Sequence, residues 1–367
     1  MTRRTRTTLA DGRELFYFDR PGAAPRKQAD LTDPRPPDPV VPTSQMRQDP
    51  LTGDWVAMAS HRMSRTHLPP ADQCPLCPAR PGRAPGEIPA TDYDVAVFEN
   101  RFPSFAGPVA AAEPLDEQPL WPVAPAGGRC EVVCFTSDHS ASLGALPPDR
   151  IRTVVDAWAD RTAALSELPA VAQVYVFENR GEAIGVTLHH PHGQIYGYPF
   201  LPPRTEAYLR RARAHRERSG GHLLRDVLDA ELAAGHRVVL QTAHWAGYVP
   251  AAARWPIEVH LAPLRDVPDL AALTDAERDD LARAYGQLLL QVDRYHPGVE
   301  GLPYVSGWHQ APTGAGRELG RLYLQLFSVQ RAPGKLKYLA GSESGMAAWV
   351  NDTTPEAVAA RLREVSG

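Results

Sequence analysis

Three imidazoles and a primary amide fall within six residues in His189-His190-Pro191-His192-Gly193-Gln194. Alternate side chains of an extended strand share a face, so His190, His192 and Gln194 are expected on one surface. Gly193 would leave room there for a ligand to approach the backbone. Two histidines and an amide on one face are costly in a core and useful in a site, and Pro191 removes a ladder donor, so a purely structural strand would be poorly served. The competing reading is a histidine-rich strand end that is merely solvated. Just upstream, Asn179 offers an amide, Gly185 a close backbone approach and Thr187 a hydroxyl, a set that suits phosphate oxygens. The phrase Phe-Glu-Asn occurs twice, at 177–179 and within Val97-Phe98-Glu99-Asn100-Arg101-Phe102-Pro103, where in the earlier segment aromatic and amide groups could hold a base and a ribose. Cys74-Pro75-Leu76-Cys77 has the spacing of a zinc hook but needs two further ligands.

These groups must be positioned by a chain of 367 residues, 43% hydrophobic and 22% charged, which is ordinary globular composition with room for two domains or one duplicated domain. The net charge of -4 argues against a field that draws in nucleic acid or anionic lipid. No apolar run reaches membrane-span length and no secretory apolar segment opens the chain, so a cytoplasmic protein with free or metal-bound cysteines is expected. Cys130 and Cys134 read as small buried strand residues.

Residues 1–45, rich in proline, read as an extended arm. A first half is expected over 46–203 and a second over 204–367. Each half shows strands, one long amphipathic helix and further strands. The helices open at Leu146-Pro147-Pro148-Asp149 and at Leu273-Thr274-Asp275-Ala276-Glu277, and each half closes on a strand, 193–198 and 322–329.

With Asp49-Pro50-Leu51-Thr52-Gly53-Asp54-Trp55, Ser137-Asp138-His139-Ser140, Gly307-Trp308-His309 and Lys337-Tyr338-Leu339-Ala340-Gly341-Ser342-Glu343 added, the chain resembles the galactose-1-phosphate uridylyltransferases of the histidine-triad superfamily from about Pro50 onward. The resemblance implies an α/β (α+β) fold: a duplicated histidine-triad-like unit whose antiparallel-rich sheets form a half-barrel with helices packed outside. It implies that His192 attacks the α-phosphorus of UDP-glucose, expels glucose 1-phosphate and passes UMP to galactose 1-phosphate. Gln194, Thr187, Asn179, Arg62 and Arg65 would stabilise the phosphate charge. Phe98, Asn100 and Phe177 would lie near the uridine, and Lys337 and Glu343 near the hexose phosphate, acting across a homodimer with shared active sites. His139 and His190 would complete a single structural Zn(2+) site with Cys74 and Cys77.

A second metal, held in several members by a carboxylate and three histidines, is expected to be absent. Here only His309 survives clearly, with Tyr323 and Gln325 where a His-x-His pair would fall, and Glu206 out of register. The rivals are an ADP-sugar or dinucleoside-polyphosphate phosphorylase of the same superfamily and a non-catalytic zinc-stabilised nucleotide-binding protein.

Overall fold

The computed structural model describes residues 1–38, 44–64, 66–107 and 120–366. The chain opens with β1 (Arg3–Thr8), β2 (Glu14–Asp19), the short helix α1 (Gln28–Leu31), β3 (Gln45–Gln48), β4 (Trp55–Met58), β5 (Val95–Glu99), β6 (Val123–Pro125) and β7 (Arg129–Cys134). Helix α2 (Pro148–Ser166) then leads to β8 (Gln173–Arg180) and β9 (His192–Tyr198). Two polar helices follow, α3 (Pro203–Ser219) and α4 (Leu223–Ala234), before β10 (Val238–Gln241), β11 (Trp245–Tyr248) and β12 (Ile257–Pro263). Helix α5 (Asp275–Asp293), β13 (Tyr304–His309), β14 (Tyr323–Ser328), the hairpin β15 (Gln330–Ala332) and β16 (Lys335–Leu336), α6 (Gly341–Met346) and α7 (Pro355–Glu364) complete the fold.

Eleven strands form one open antiparallel sheet in the order β1-β2-β5-β7-β9-β8-β13-β14-β12-β11-β10, not closed into a barrel. A small separate sheet joins β4, β3 and β6. The duplication is visible in this order. In the first half, β5, β7, α2, β8 and β9 place their strands as β5-β7-β9-β8. In the second, β11, β12, α5, β13 and β14 place theirs as β11-β12-β14-β13. The two units meet where the third strand of each, β8 and β13, pairs antiparallel with the other.

Residues 1–45 are not only an extended arm. Leu15, Phe16, Tyr17 and Phe18 are consecutive and all buried, and β1 and β2 continue the main sheet beyond β5. Four successive apolar side chains need both faces of a strand covered, and the sheet supplies this. Phe16 and Phe18 join the main core, while Leu15 and Tyr17 join the cysteine-bearing cluster.

The sheet has two unlike faces. On one, Val95, Val97, Val133, Phe135, Val174, Val176, Ile195, Trp308, Leu324 and Leu326 meet α2 and α5 in the main core. Helices α2 and α5 can approach closely because Gly286 offers no Cβ, which would lie 2.9 Å from Ile151 Cδ1. The opposite face carries the functional groups.

Two electrostatic devices fix the helices. Arg161 of α2 makes a bidentate pair with Glu131 of β7, at 2.9 and 2.7 Å, both residues being buried. At the start of α5, Thr274 and Glu277 form a reciprocal cap, and Glu277 also accepts two hydrogen bonds from Arg265 at 2.7 Å. Arg265 holds the Glu277 carboxyl down at about 2.

Two outcomes follow from these devices. Glu131→Leu should destabilise by about 3–5 kcal/mol, because it strands a buried guanidinium, and adding Arg161→Met should restore most of that loss in urea titrations. Glu277, with its folded pKa depressed, contributes stability above its unfolded value near 4.5, lost as the pH falls from there toward 2. The stability gap between the protein and its Glu277→Gln variant should therefore narrow across that window.

Candidate active site

Strand β9 starts at His192, so the expected face of His190, His192 and Gln194 is divided. His190 precedes the strand and its ring is buried against Cys77, Tyr93 and Thr136. His192 and Gln194 instead line a pocket of about 280 Å³ on the open face.

The two rings are coupled through one carbonyl. His192 Nδ1 lies 2.7 Å from the His190 carbonyl oxygen, which can only accept. Nδ1 therefore carries the proton, and Nε2 keeps its lone pair. Burial pushes the His192 pKa down, which keeps the ring neutral and nucleophilic.

The same argument applies to His190. Its Nε2 is 2.8 Å from the Thr136 carbonyl, so that nitrogen donates and Nδ1 presents its lone pair toward Cys77 Sγ at 3.6 Å. Tyr93 packs behind it, its hydroxyl 2.9 Å from Nε2 and donating to the Leu76 carbonyl.

Cys74, Cys77, His139 and His190 bring their ligand atoms within 4.8 Å of one another. Cys77 Sγ is 3.3 Å from His139 Nδ1. Metal–ligand bonds of about 2.0–2.3 Å put neighbouring ligands of a tetrahedral ion roughly 3.3–3.8 Å apart, so the donor set fits one. Without a cation, burial pushes the Cys74 thiol up to about 11 and the His190 imidazole down to about 4. A divalent ion would reverse the penalty on the thiolates.

The pocket around His192 includes Arg62, Phe98, Asn100, Thr187 and Gln194 from the residues singled out in the sequence. It also includes Arg101 and Phe102, from the end of the first Phe-Glu-Asn segment, and Arg35, Thr66 and Glu87, which sequence reasoning missed. Arg35 comes from the proline-rich segment read as an arm. It is held by Asp33 at 2.8 Å and Glu87 at 3.0 Å, and no local motif marks it. Arg65 lies outside the described residues.

Several other residues singled out in the sequence lie outside this lining. Phe177 stands opposite Gln194 in the sheet, but it stacks on Tyr175 with centroids 5.4 Å apart and does not line the pocket. Asn179 is two residues further along β8, opposite Val305, also outside the lining. Gly185 has φ of 81°, a backbone conformation that favours glycine, and ends a short turn, with open space where a Cβ would sit. Gly193 is required by packing on the helix-side face: a Cβ would lie 2.8 Å from the Phe135 ring and from the Phe177 carbonyl.

Lys337 and Glu343 pair with each other at 2.8 Å, both nearly inaccessible. Lys337 Nζ also donates to the Arg254 and Val350 carbonyls, so its three donors are taken within the chain. Lys337 holds the Glu343 carboxyl below its ordinary range. Within one chain this pair anchors α6 and does not reach the pocket.

Where the second metal was expected to be absent, Tyr323 stacks on His309 at 4.6 Å and also contacts the His260 ring at 5.1 Å. Gln325 donates to Glu258 at 2.6 Å. Glu206 is exposed on α3.

Comparison with known proteins agrees with this geometry. Residues 37–202 match the model of the galactose-1-phosphate uridyl transferase N-terminal domain, and residues 206–366 that of the C-terminal domain. The chain is 51% identical over 314 residues to a galactose-1-phosphate uridylyltransferase of Streptomyces lividans, covering 85% of this chain and 82% of that one. A solved uridylyltransferase structure superposes with a TM-score of 0.77 at 34% identity, covering 88% of this chain and 98% of the other. An ADP-glucose phosphorylase of Arabidopsis thaliana shares the fold, with a TM-score of 0.64 at 22% identity over 88% of this chain and 98% of that one. A single site architecture, two consecutive domain matches and half-identical sequence to a named relative place the chain in the galactose-1-phosphate uridylyltransferase family.

Proposed function

We propose that the chain transfers UMP from UDP-glucose to galactose 1-phosphate by a ping-pong mechanism through a uridylyl-histidine at His192. The observation that carries this reading is the His192 Nδ1–H bond to the His190 carbonyl, which leaves Nε2 as the free nucleophile of a ring that lines the pocket.

In the first half-reaction, the Nε2 lone pair forms a bond to the α-phosphorus. The bond from that phosphorus to the bridging oxygen breaks, and glucose 1-phosphate leaves with the electron pair. The uridylyl-imidazole keeps its Nδ1 proton, and the carbonyl dipole stabilises the resulting positive charge. In the second, a phosphate oxygen of galactose 1-phosphate attacks the same phosphorus and the N–P electrons return to Nε2. Gln194 carries no titratable proton, so it can hydrogen-bond the transferring group without acting as a general acid that would help water compete. Both leaving groups are good, so none is needed. Arg62, Thr187, Arg35 and Arg101 supply positive charge and donors around the diphosphate. Phe98, Val132 and Leu188 form an apolar wall suited to a base, with Asn100 beside it.

Zinc fits Cys74, Cys77, His139 and His190. Bound there, it would add charge that holds the thiolates and locks the His190 ring. That fixes the carbonyl on which His192 is oriented, a structural role with a catalytic consequence. A homodimer is part of the same reading, supported by the exposed apolar side chains of Tyr338, Leu339, Met346 and Val350 along the C-terminal segment. Among the described residues no helix is long and apolar enough to cross a membrane, consistent with a cytoplasmic location.

Intact-mass spectrometry after brief incubation tests the reading. UDP-glucose should add one uridylyl group, which galactose 1-phosphate discharges, and His192→Ala should show no adduct and lose transfer by at least about 10³-fold. An adduct formed from ADP-glucose alone would transfer the assignment to the phosphorylase class, and nucleotide binding without any adduct would leave a binding protein. Cys77→Ser should bring zinc, measured by elemental analysis, from one per chain toward none. It should also slow adduct formation while UDP binding persists, and unchanged adduct kinetics in a zinc-free variant would remove the metal's orienting role.

A further inference from the structure

A second, smaller pocket of about 50 Å³ lies on the same open face but shares no lining residue with the pocket of His192. Gln173, Arg204, Thr205, Tyr208, His309, Gln310, Arg321 and Tyr323 supply its polar lining, with two arginines and no carboxylate. Arg204 and Thr205 are in the first turn of α3, a 17-residue helix whose N-terminal end brings positive partial charge to the site.

Arg321 is the decisive residue. It is 3% exposed, and its Nη2 donates to the Pro263 and Arg265 carbonyls. Its Nε faces Asp266 at 3.3 Å, an exposed carboxylate outside the lining. Its Nη1 is buried with no partner. Leaving a guanidinium N–H desolvated and unpaired is unfavourable, and an anion in the pocket would relieve it.

Three other buried polar atoms of the lining also lack a hydrogen bond: Gln173 Oε1, His309 Nε2 and Arg321 Nε, the last facing Asp266 as an ion pair only. Burial, reinforced by Arg204, holds His309 well below its ordinary pKa, so the ring is neutral and does not add to the site's charge. Three further polar groups of the lining are already engaged. Tyr208 donates to the Leu319 carbonyl at 2.5 Å, Gln310 donates to the Val174 carbonyl at 3.2 Å, and Tyr323 is hydrogen-bonded to Arg204.

We infer that this pocket binds a small protonated tetrahedral oxyanion, inorganic phosphate or a terminal phosphoryl group, between Arg321, Arg204 and the N-terminus of α3. The mixture of unsatisfied groups sets the class. Arg321 Nη1 needs an anionic acceptor. Gln173 Oε1 needs a donor, which a phosphate bearing a proton supplies and sulfate at neutral pH does not. A volume of about 50 Å³ admits a few waters or one such ion, and not a nucleotide. A metal is poorly suited to a pocket with two guanidinium groups and one histidine, and with Tyr323 stacked on that histidine.

The site is independent of the reaction assigned to His192, and the test keeps the two apart. The full-length protein is titrated with inorganic phosphate by calorimetry and thermal shift in the presence of saturating UDP. Sulfate and glycerol 1-phosphate are titrated in parallel. The expected result is a saturable phosphate response, stronger than that of sulfate, which R204Q and R321Q each weaken about tenfold. A matching response to glycerol 1-phosphate would identify the phosphoryl group of an ester as a ligand, and no response to it would restrict the site to the free ion. Both agree with the inference. Arg321 also holds two carbonyls, so R204Q, on an exposed residue, carries the test if R321Q fails to fold. Absence of a phosphate response, equal responses to sulfate and phosphate, or a response that R204Q leaves unchanged would each overturn the inference.

Discussion

A single peptide carbonyl, that of His190, links the two halves of the chemistry. Its oxygen fixes the tautomer of His192, and the ring of the same residue is turned the opposite way into the Cys74–Cys77–His139 cluster. Neither ring could be displaced without disturbing the other, because Pro191 between them restricts the backbone. The surrounding structure serves that linkage. Thr136, just beyond β7, holds His190 Nε2, and the pairing of β7 with β9 sets Cys134 opposite His192.

The sheet makes this possible by separating its two faces. One is committed to α2 and α5, whose contact with β-branched and aromatic side chains forms the continuous core. The other is therefore free to hold polar and ionisable groups that a core would reject. Glu178 shows how strict the separation is. It lies between Phe177 and Asn179 yet points to the helix side, where burial raises its pKa to about 7 and Tyr304 donates to it at 2.9 Å. The duplication extends the open face over both units. One half carries the pocket of His192, and the equivalent region of the other carries the Tyr323–His309 stack and the arginine-lined pocket.

A protein of this design tolerates substitution unevenly. Groups marked by motif can pair within the chain, as Lys337 and Glu343 do, while residues without a motif, such as Arg35, line the pocket of His192. The difference lies in how many of a group's donors are already used within the chain.

Local sequence determined the elements and the residues that could do chemistry, and the resemblance named the reaction. Proline pairs and the Thr274–Glu277 cap announced the two long helices, and the strand periodicity placed β8, β9, β12, β13 and β14 to within a few residues. The His-Pro-His-Gly-Gln run marked a polar site and the Cys-x-x-Cys hook half of a metal donor set from residue types alone, and the resemblance supplied the nucleophilic role of His192 and the two histidines that the spacing could not. What the sequence left undecided was everything set by contacts distant along the chain. Strand alternation could not show that β9 begins at His192 and that His190 faces away from the pocket, because a proline sits at the boundary. It could not show that Leu15 to Phe18 pair with β5, because both faces of that strand are covered by residues far downstream. Nor could it show that Lys337 spends its donors on Glu343, Arg254 and Val350, or that Arg321 keeps one free. Hydrogen-bond saturation is a property of the packed interior, and only the tertiary structure decides it.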